Sequence, residues 1–87
     1  MADAAKIFIV EDERPIARLL QLTLEREGFK TASEPNGRRA YERILQEKYD
    51  LVLLDVMLPD MDGMEICRRV REVSDVPIIM LTARDEV

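Results

Sequence analysis

The chain contains no histidine and a single cysteine, Cys67. No intramolecular disulfide can form, which fits a reducing compartment, and the thiol has no imidazole to activate it as a nucleophile. Its helical spacing makes Cys67 a core residue instead. No apolar run approaches the length of a membrane span, and the start Met1-Ala2-Asp3-Ala4-Ala5-Lys6 lacks the basic and apolar regions of a secretory signal. There is no glycine-rich phosphate loop, no internal repeat, no linker and no low-complexity segment. Net positive charge is lacking too: the formal charge is -5, and the pairs Arg38-Arg39 and Arg68-Arg69 fall within helix-like segments as solvated faces. Nonspecific binding to nucleic acid or to an anionic membrane is disfavoured. These absences together are those expected of a cytoplasmic protein.

What is present is an alternation of apolar runs and amphipathic segments over 87 residues, enough for one small domain. Residues 7–10, Ile-Phe-Ile-Val, are apolar throughout and predict a strand buried on both faces. Residues 14–27 predict a helix that turns Ile16, Leu19, Leu20, Thr23 and Leu24 inward. Pro15 suits its first turn and Gly28 a left-handed C-terminal cap. A weaker strand at 29–33 precedes a turn at Pro35-Asn36-Gly37, and a second helix at 38–48 turns Ala40, Tyr41, Ile44 and Leu45 inward. A third strand spans 51–55. A third helix begins near Asp62, where Glu65 three residues on suggests a capping box, and it directs Ile66, Cys67, Val70 and Val73 inward. Residues 76–82 predict a fourth buried strand, with Pro77 tolerable at its start. Such alternation implies an α/β fold, with right-handed crossovers and a parallel sheet between two layers of helices.

The chemistry gathers where the strands end. Leu51-Val52-Leu53-Leu54 closes with Asp55 before a Pro- and Gly-punctuated loop, and Ile7-Phe8-Ile9-Val10 closes with Glu11-Asp12. The carboxyl edge of an open α/β sheet is where such folds place their sites. Three carboxylates converging there repel one another unless a cation joins them, and Mg2+ takes oxygen ligands of this kind. An Asp carboxylate can also act as a nucleophile and form an aspartyl phosphate. Thr82, at the end of the fourth strand, could donate a hydroxyl hydrogen bond to that phosphoryl group, as could the backbone N–H groups after Asp55. The acidic loop Glu11-Asp12-Glu13 would repel a free phosphate, so the metal should bind first. Asp60 reads as a loop former, Asp62 as a helix cap, and Met57, Met61 and Met64 as packing residues.

Glu11-Asp12, the run Asp55-Val56-Met57-Leu58-Pro59-Asp60-Met61-Asp62-Gly63, and Thr82-Ala83 stand in order on successive strand ends. In this the chain resembles the receiver domain of two-component response regulators across essentially its whole length, 1–87. The resemblance implies a flavodoxin-like doubly wound sheet, here incomplete, with strand order 2-1-3-4 and the fifth strand and last helices missing. It implies that Asp55 is the phosphoacceptor, that Asp12, Asp55 and the backbone carbonyl of Met57 hold Mg2+, and that Glu11 acts through water. It implies that Thr82 is the switch hydroxyl and that a sensor histidine kinase is the partner. Members of the family carry a lysine after the fifth strand and an aromatic switch residue on it, and Lys6, Lys30 and Lys48 match neither place. The run Thr82-Ala83-Arg84-Asp85-Glu86 resembles regulators that continue into a winged-helix DNA-binding domain. The chain would accept a phosphoryl group and promote that step without being an enzyme.

Two other classes fit less well. A dehalogenase-type phosphatase places a second Asp two residues after the first, where this chain has Met57. A flavin-binding flavodoxin needs a Ser/Thr/Gly-rich loop after its first strand, where this chain has acids. The alternative that stands is a receiver fragment without phosphotransfer. It would pair with a copy of itself through the edge of the fourth strand, since unprotected edges recruit other chains.

Overall fold

The computed structural model describes residues 4–81. Its elements alternate: β1 (Lys6–Val10), α1 (Arg14–Arg26), β2 (Lys30–Glu34), α2 (Gly37–Gln46), β3 (Leu51–Asp55), α3 (Gly63–Arg71) and β4 (Ile78–Leu81). All strand pairings are parallel, in the order β2-β1-β3-β4. This is the flavodoxin-like arrangement expected from the sequence, represented by four strands and three helices. Thr82 lies outside the described residues.

The two innermost strands are the most apolar, and their burial follows from position. Phe8, Ile9, Val10, Val52 and Leu54 are fully buried, each contributing about 1.5–3 kcal/mol by leaving water. On one face Phe8, Val10, Val52 and Leu54 meet Ala40 and Ile44 of α2 and Ile66 and Val70 of α3. Tyr49 belongs to the same cluster, its ring stacked on Phe8 with centroids 4.4 Å apart. On the other face Ile7, Ile9 and Leu53 meet Ala17 of α1, with Leu20 and Leu24 beside them.

Several inward faces differ from the sequence expectation. In α1 the residue seated against the sheet is Ala17, while Ile16 and Leu19 stay exposed and Thr23 faces solvent. The helix carries enough apolar residues for two competing stripes, and the sheet takes the one whose small residue permits close approach. Leu45 is exposed on α2, and Val73 lies beyond the end of α3 and is exposed as well. The fourth strand is only half buried: Ile79 is 52% exposed, because among the described residues no helix covers that side of β4.

Helix ends are set by local chemistry. Gly28 takes φ +97°, and with it the N–H groups of Gly28 and Phe29 turn back to the carbonyls of Glu25 and Leu24, at 3.0 and 3.1 Å. Asn36 is a helix cap rather than a turn residue, accepting the Arg39 N–H at 2.9 Å. Asp62 caps α3 by accepting the Met64 N–H at 3.0 Å. The capping box is not completed, because the Glu65 carboxylate pairs with Arg68 and Arg69 instead.

Candidate functional site

The parallel register sets Val10 opposite Leu54, so the residues that follow, Glu11 and Asp55, emerge side by side at the carboxyl edge. Glu11 and Asp55 are buried, each 6% exposed, and Asp12 is half-buried. One carboxylate oxygen from each of the three lies within 4.8 Å of the others. Among the described residues, none of the ion pairs reaches this cluster; those present join Arg43 to Glu34 and Glu47, and Arg68 and Arg69 to Glu65.

Local backbone bonds orient the carboxylates. The Glu13 N–H donates to Glu11 Oε2 at 3.1 Å, and the Met57 N–H donates to Asp55 Oδ1 at 3.1 Å. Burial pushes the Glu11 carboxyl above its ordinary range; the Glu13 N–H opposes this, and the charges of Asp55, Asp12 and Glu13 add to the rise. The Met57 side chain is turned to solvent, 61% exposed, so only its main chain is available to the cluster.

The loop between β3 and α3 is closed at its base. The Gly63 N–H donates to the Val56 carbonyl at 2.9 Å, and Met57 and Asp62 form an antiparallel bridge. Gly63 is required by close approach: a Cβ there would lie 2.4 Å from the Asp55 carbonyl oxygen and 2.8 Å from Val56 Cα. Beside the carboxylates an open depression is lined by Asp12 and residues 56–62. Asp60 sits at the tip of this loop and reaches away from the cluster, accepting the Gly37 and Arg38 N–H groups at 2.8 and 3.0 Å. Sequence reading gave Asp60 no partner; its acceptor pair is offered by a helix start 22 and 23 residues away, and no local spacing signals that.

The donor set is chemically suited to a hard divalent cation. Three acidic oxygens can converge without forcing the backbone, two of their side chains are buried, and no Lys or Arg among the described residues neutralises them. Mg2+ commonly binds through one or two carboxylates and keeps several waters, which the open depression allows.

A parallel α/β sheet bearing an acidic triplet at its carboxyl edge defines a class of protein. The sequence matches the response regulator receiver domain family over residues 7–87, and the chain belongs to that family. It is therefore a component of two-component signal transduction. The structure is similar to the BeF3-activated N-terminal receiver domain of Klebsiella pneumoniae RstA, with 44% identity and TM-score 0.87 over 93% of this chain and 69% of that one. It is similar to the response regulator TrrA from Thermotoga maritima, solved in complex with Mg(2+)-BeF, with 36% identity and TM-score 0.87 over 92% of this chain and 70% of that one. A CheY-like receiver domain from Methanospirillum hungatei JF-1 has 27% identity and TM-score 0.90 over 97% of this chain and 68% of that one. No helix among the described residues is long and apolar enough to cross a membrane.

Proposed function

We propose that this chain is a phosphoacceptor module that takes a phosphoryl group on Asp55 from a sensor histidine kinase or a small phosphodonor. The observation that carries the reading is the triplet of buried Glu11 and Asp55 with half-buried Asp12, their oxygens within 4.8 Å and no ion pair to a Lys or Arg among the described residues. Asp12, Asp55 and the Met57 carbonyl are the residues that would hold Mg2+, with Glu11 acting through a water. Bound there, Mg2+ would neutralise the cluster and offset the charge that develops on the transferring phosphoryl group. The complex of the Thermotoga maritima relative with Mg(2+)-BeF supports this choice of ion.

On this reading Asp55 makes the attack. Its Oδ1 is occupied by the Met57 N–H, so the other oxygen is the one left to act as nucleophile. That oxygen forms the new bond to phosphorus as the donor's P–N or P–O bond breaks, and the leaving group departs with the bonding pair, an imidazole nitrogen taking up a proton and a carboxylate such as acetate leaving as the anion. The N–H groups that follow Asp55 and the Thr82 hydroxyl are the donors assigned to the phosphoryl oxygens. The protein promotes its own modification once per cycle and is not an enzyme acting on a separate substrate. The run Thr82-Ala83-Arg84-Asp85-Glu86 supports transcription regulation as the output.

Intact-mass measurement after incubation with acetyl phosphate tests the reading. A phosphoryl adduct that requires Mg2+ and disappears in Asp55→Asn is expected. No adduct on a sample shown by circular dichroism to be folded would overturn it.

A second reading is favoured by β4, whose Ile79 is 52% exposed and whose outer edge has no partner among the described residues. On that reading the chain pairs with its own copy through this edge, without phosphotransfer. Sedimentation showing a monomer at high concentration would remove it.

A further inference from the structure

We propose that Asp60 is a positioning residue, which clamps the β3–α3 loop to the start of α2 and so holds the Met57 main chain in place for the metal. The proposal rests on the metal reading above, and Asp60 itself touches neither metal nor phosphoryl group.

The first evidence is a complete account of the α2 N-terminus. A helix start leaves four N–H groups without internal partners. Here Gly37 and Arg38 donate to the two oxygens of Asp60, Arg39 donates to the Asn36 side chain at 2.9 Å, and the Asn36 N–H donates to Glu34 Oε2 at 3.3 Å. Half of the cap therefore comes from a different loop, across 22 and 23 residues of sequence. One carboxylate accepting two backbone N–H groups at a positive helix end is a charge-assisted pair, stronger than neutral hydrogen bonds.

Packing at the same point is the second evidence. A Cβ on Gly37 would lie 3.0 Å from Met61 Cβ, 3.1 Å from Asp60 Oδ1 and 3.2 Å from Ile66 Cδ1. The loop is pressed onto the first turn of α2 as well as hydrogen-bonded to it. Burial alone would raise the Asp60 carboxyl, yet the Gly37 and Arg38 N–H groups outweigh it and hold the group below its usual range. The ionised form is the one that fits.

Consequences for Met57 follow from the loop's closure. Residues 56–63 are tied at the base by the Gly63–Val56 bond and the Met57–Asp62 bridge, and at the tip Asp60 hydrogen-bonds across to α2 while Met61 packs against it. The Met57 N–H is already committed to Asp55. That bond fixes the peptide plane before Met57, and the loop closed at base and tip restrains the plane after it, which carries the Met57 carbonyl. Outer partners that orient metal ligands commonly change metal affinity by about 10–100-fold, and Asp60 acts one step further out, so about 5-fold is expected for its loss.

The full chain and its Asp60→Ala and Asp60→Asn variants should be titrated with MgCl2, following backbone amide resonances by NMR. Hydrogen exchange should be measured on the same samples without metal. In the unmodified protein, Mg2+ should shift the Gly37 and Arg38 amides at the same midpoint as Asp55 and Met57. In Asp60→Ala the Mg2+ midpoint should rise about 5-fold, the response at Gly37 and Arg38 should vanish, and amides 57–61 should exchange faster. Asp60→Asn, with one acceptor oxygen for two donors, should fall between. Lowered thermal stability with an unchanged Mg2+ midpoint and unchanged exchange at 57–61 would reduce Asp60 to an ordinary helix cap and overturn the proposal. A parent protein that binds no Mg2+ would sink the metal reading and the positioning role that rests on it. Faster loop exchange in Asp60→Ala would still identify the clamp.

Discussion

Glu34 and Asp55 close the strands on either side of β1, and both are buried, 8% and 6% exposed. Their surroundings are opposite. Glu34 has a guanidinium: Arg43 Nη1 lies 3.4 Å from its Oε1, donates to the Ser33 carbonyl at 3.2 Å, and sits over the Phe8 ring with its Cζ 5.0 Å from the centroid. Asp55 has Glu11 and Asp12, which share its sign. A folded chain that can supply a counter-charge to one buried carboxylate and leaves another among like charges marks the second for an outside partner. The difference is informative because both residues are buried strand ends of one sheet, one step apart in register, so burial alone does not explain it.

The largest effect that would break this comparison falls on the backbone under Asp55. Gly63→Ala would place a methyl 2.4 Å from the Asp55 carbonyl oxygen and 2.8 Å from Val56 Cα, neither of which is the end of a flexible side chain. A loss on the order of 3 kcal/mol is expected, read from the urea midpoint. A midpoint equal to that of the unmodified protein would mean that the turn after Asp55 is not held as described.

Next in size is removal of the guanidinium from Glu34. Arg43→Met keeps an apolar stem but leaves a buried carboxylate without its partner. With the Arg43 side chain 32% exposed, the cost is reduced by solvent to about 1–2 kcal/mol. Adding Glu34→Gln should recover part of that loss, and a double-mutant cycle measures the coupling. Strict additivity would show that the pair contributes nothing and that the contrast with Asp55 is only geometric.

Asp55→Asn should have the opposite sign. In metal-free protein it removes one of three mutually repelling charges while an amide oxygen can still accept the Met57 N–H, so a gain of about 1 kcal/mol is expected by thermal unfolding. Glu34→Gln alone should lower stability under the same conditions. Mg2+ should raise the Tm of the unmodified protein and leave Asp55→Asn unchanged. Equal signs for the two neutralising substitutions would erase the distinction between a structural and a functional acid.

Much of this contrast could be read from sequence on one side only. Asp55 and Glu11-Asp12 are visible because each ends an apolar run, and parallel pairing of those runs brings them together without further information. Glu34 is not visible in that way. Its strand, Lys-Thr-Ala-Ser-Glu, is too polar to stand out, and Arg43 lies nine residues away, on the far side of the turn into α2. The cap that Asp60 supplies is hidden for the same reason, since tertiary hydrogen bonds have no period. Helix positions were legible, whereas the inward face of α1, Leu45 of α2 and the end of α3 were not. Periodicity ranks apolar stripes, and the sheet decides which is used: Ala17, Leu20 and Leu24 in α1 rather than Ile16 and Leu19. For β4 the apolar run was legible but not its burial, because burial depends on what lies against the strand.

The smallest expected effect concerns pH, and it sharpens the comparison through Glu11 and Asp60. Glu11 sits above the ordinary carboxylate range because it is buried among like charges. A raised acid binds its proton more tightly when folded, so its favourable contribution is full below the unfolded value and is lost as pH rises through the folded one. Asp60, held below its usual range by two N–H groups, behaves in the reverse sense: its contribution is present above the unfolded value and is lost as pH falls through the folded one. Metal-free protein brought down from neutral pH should therefore gain a little stability as Glu11 takes up its proton, and then lose it at lower pH as Asp60 does. Mg2+ competes with the Glu11 proton, so its stabilising effect should be greatest above the raised Glu11 range and fade within it. Thermal unfolding against pH, with and without Mg2+, measures both halves, and Glu11→Gln should flatten the upper one while leaving the lower intact. A Mg2+ effect of the same size on both sides of the Glu11 titration would separate Glu11 from the metal cluster and leave Asp12 and Asp55 to hold the ion alone.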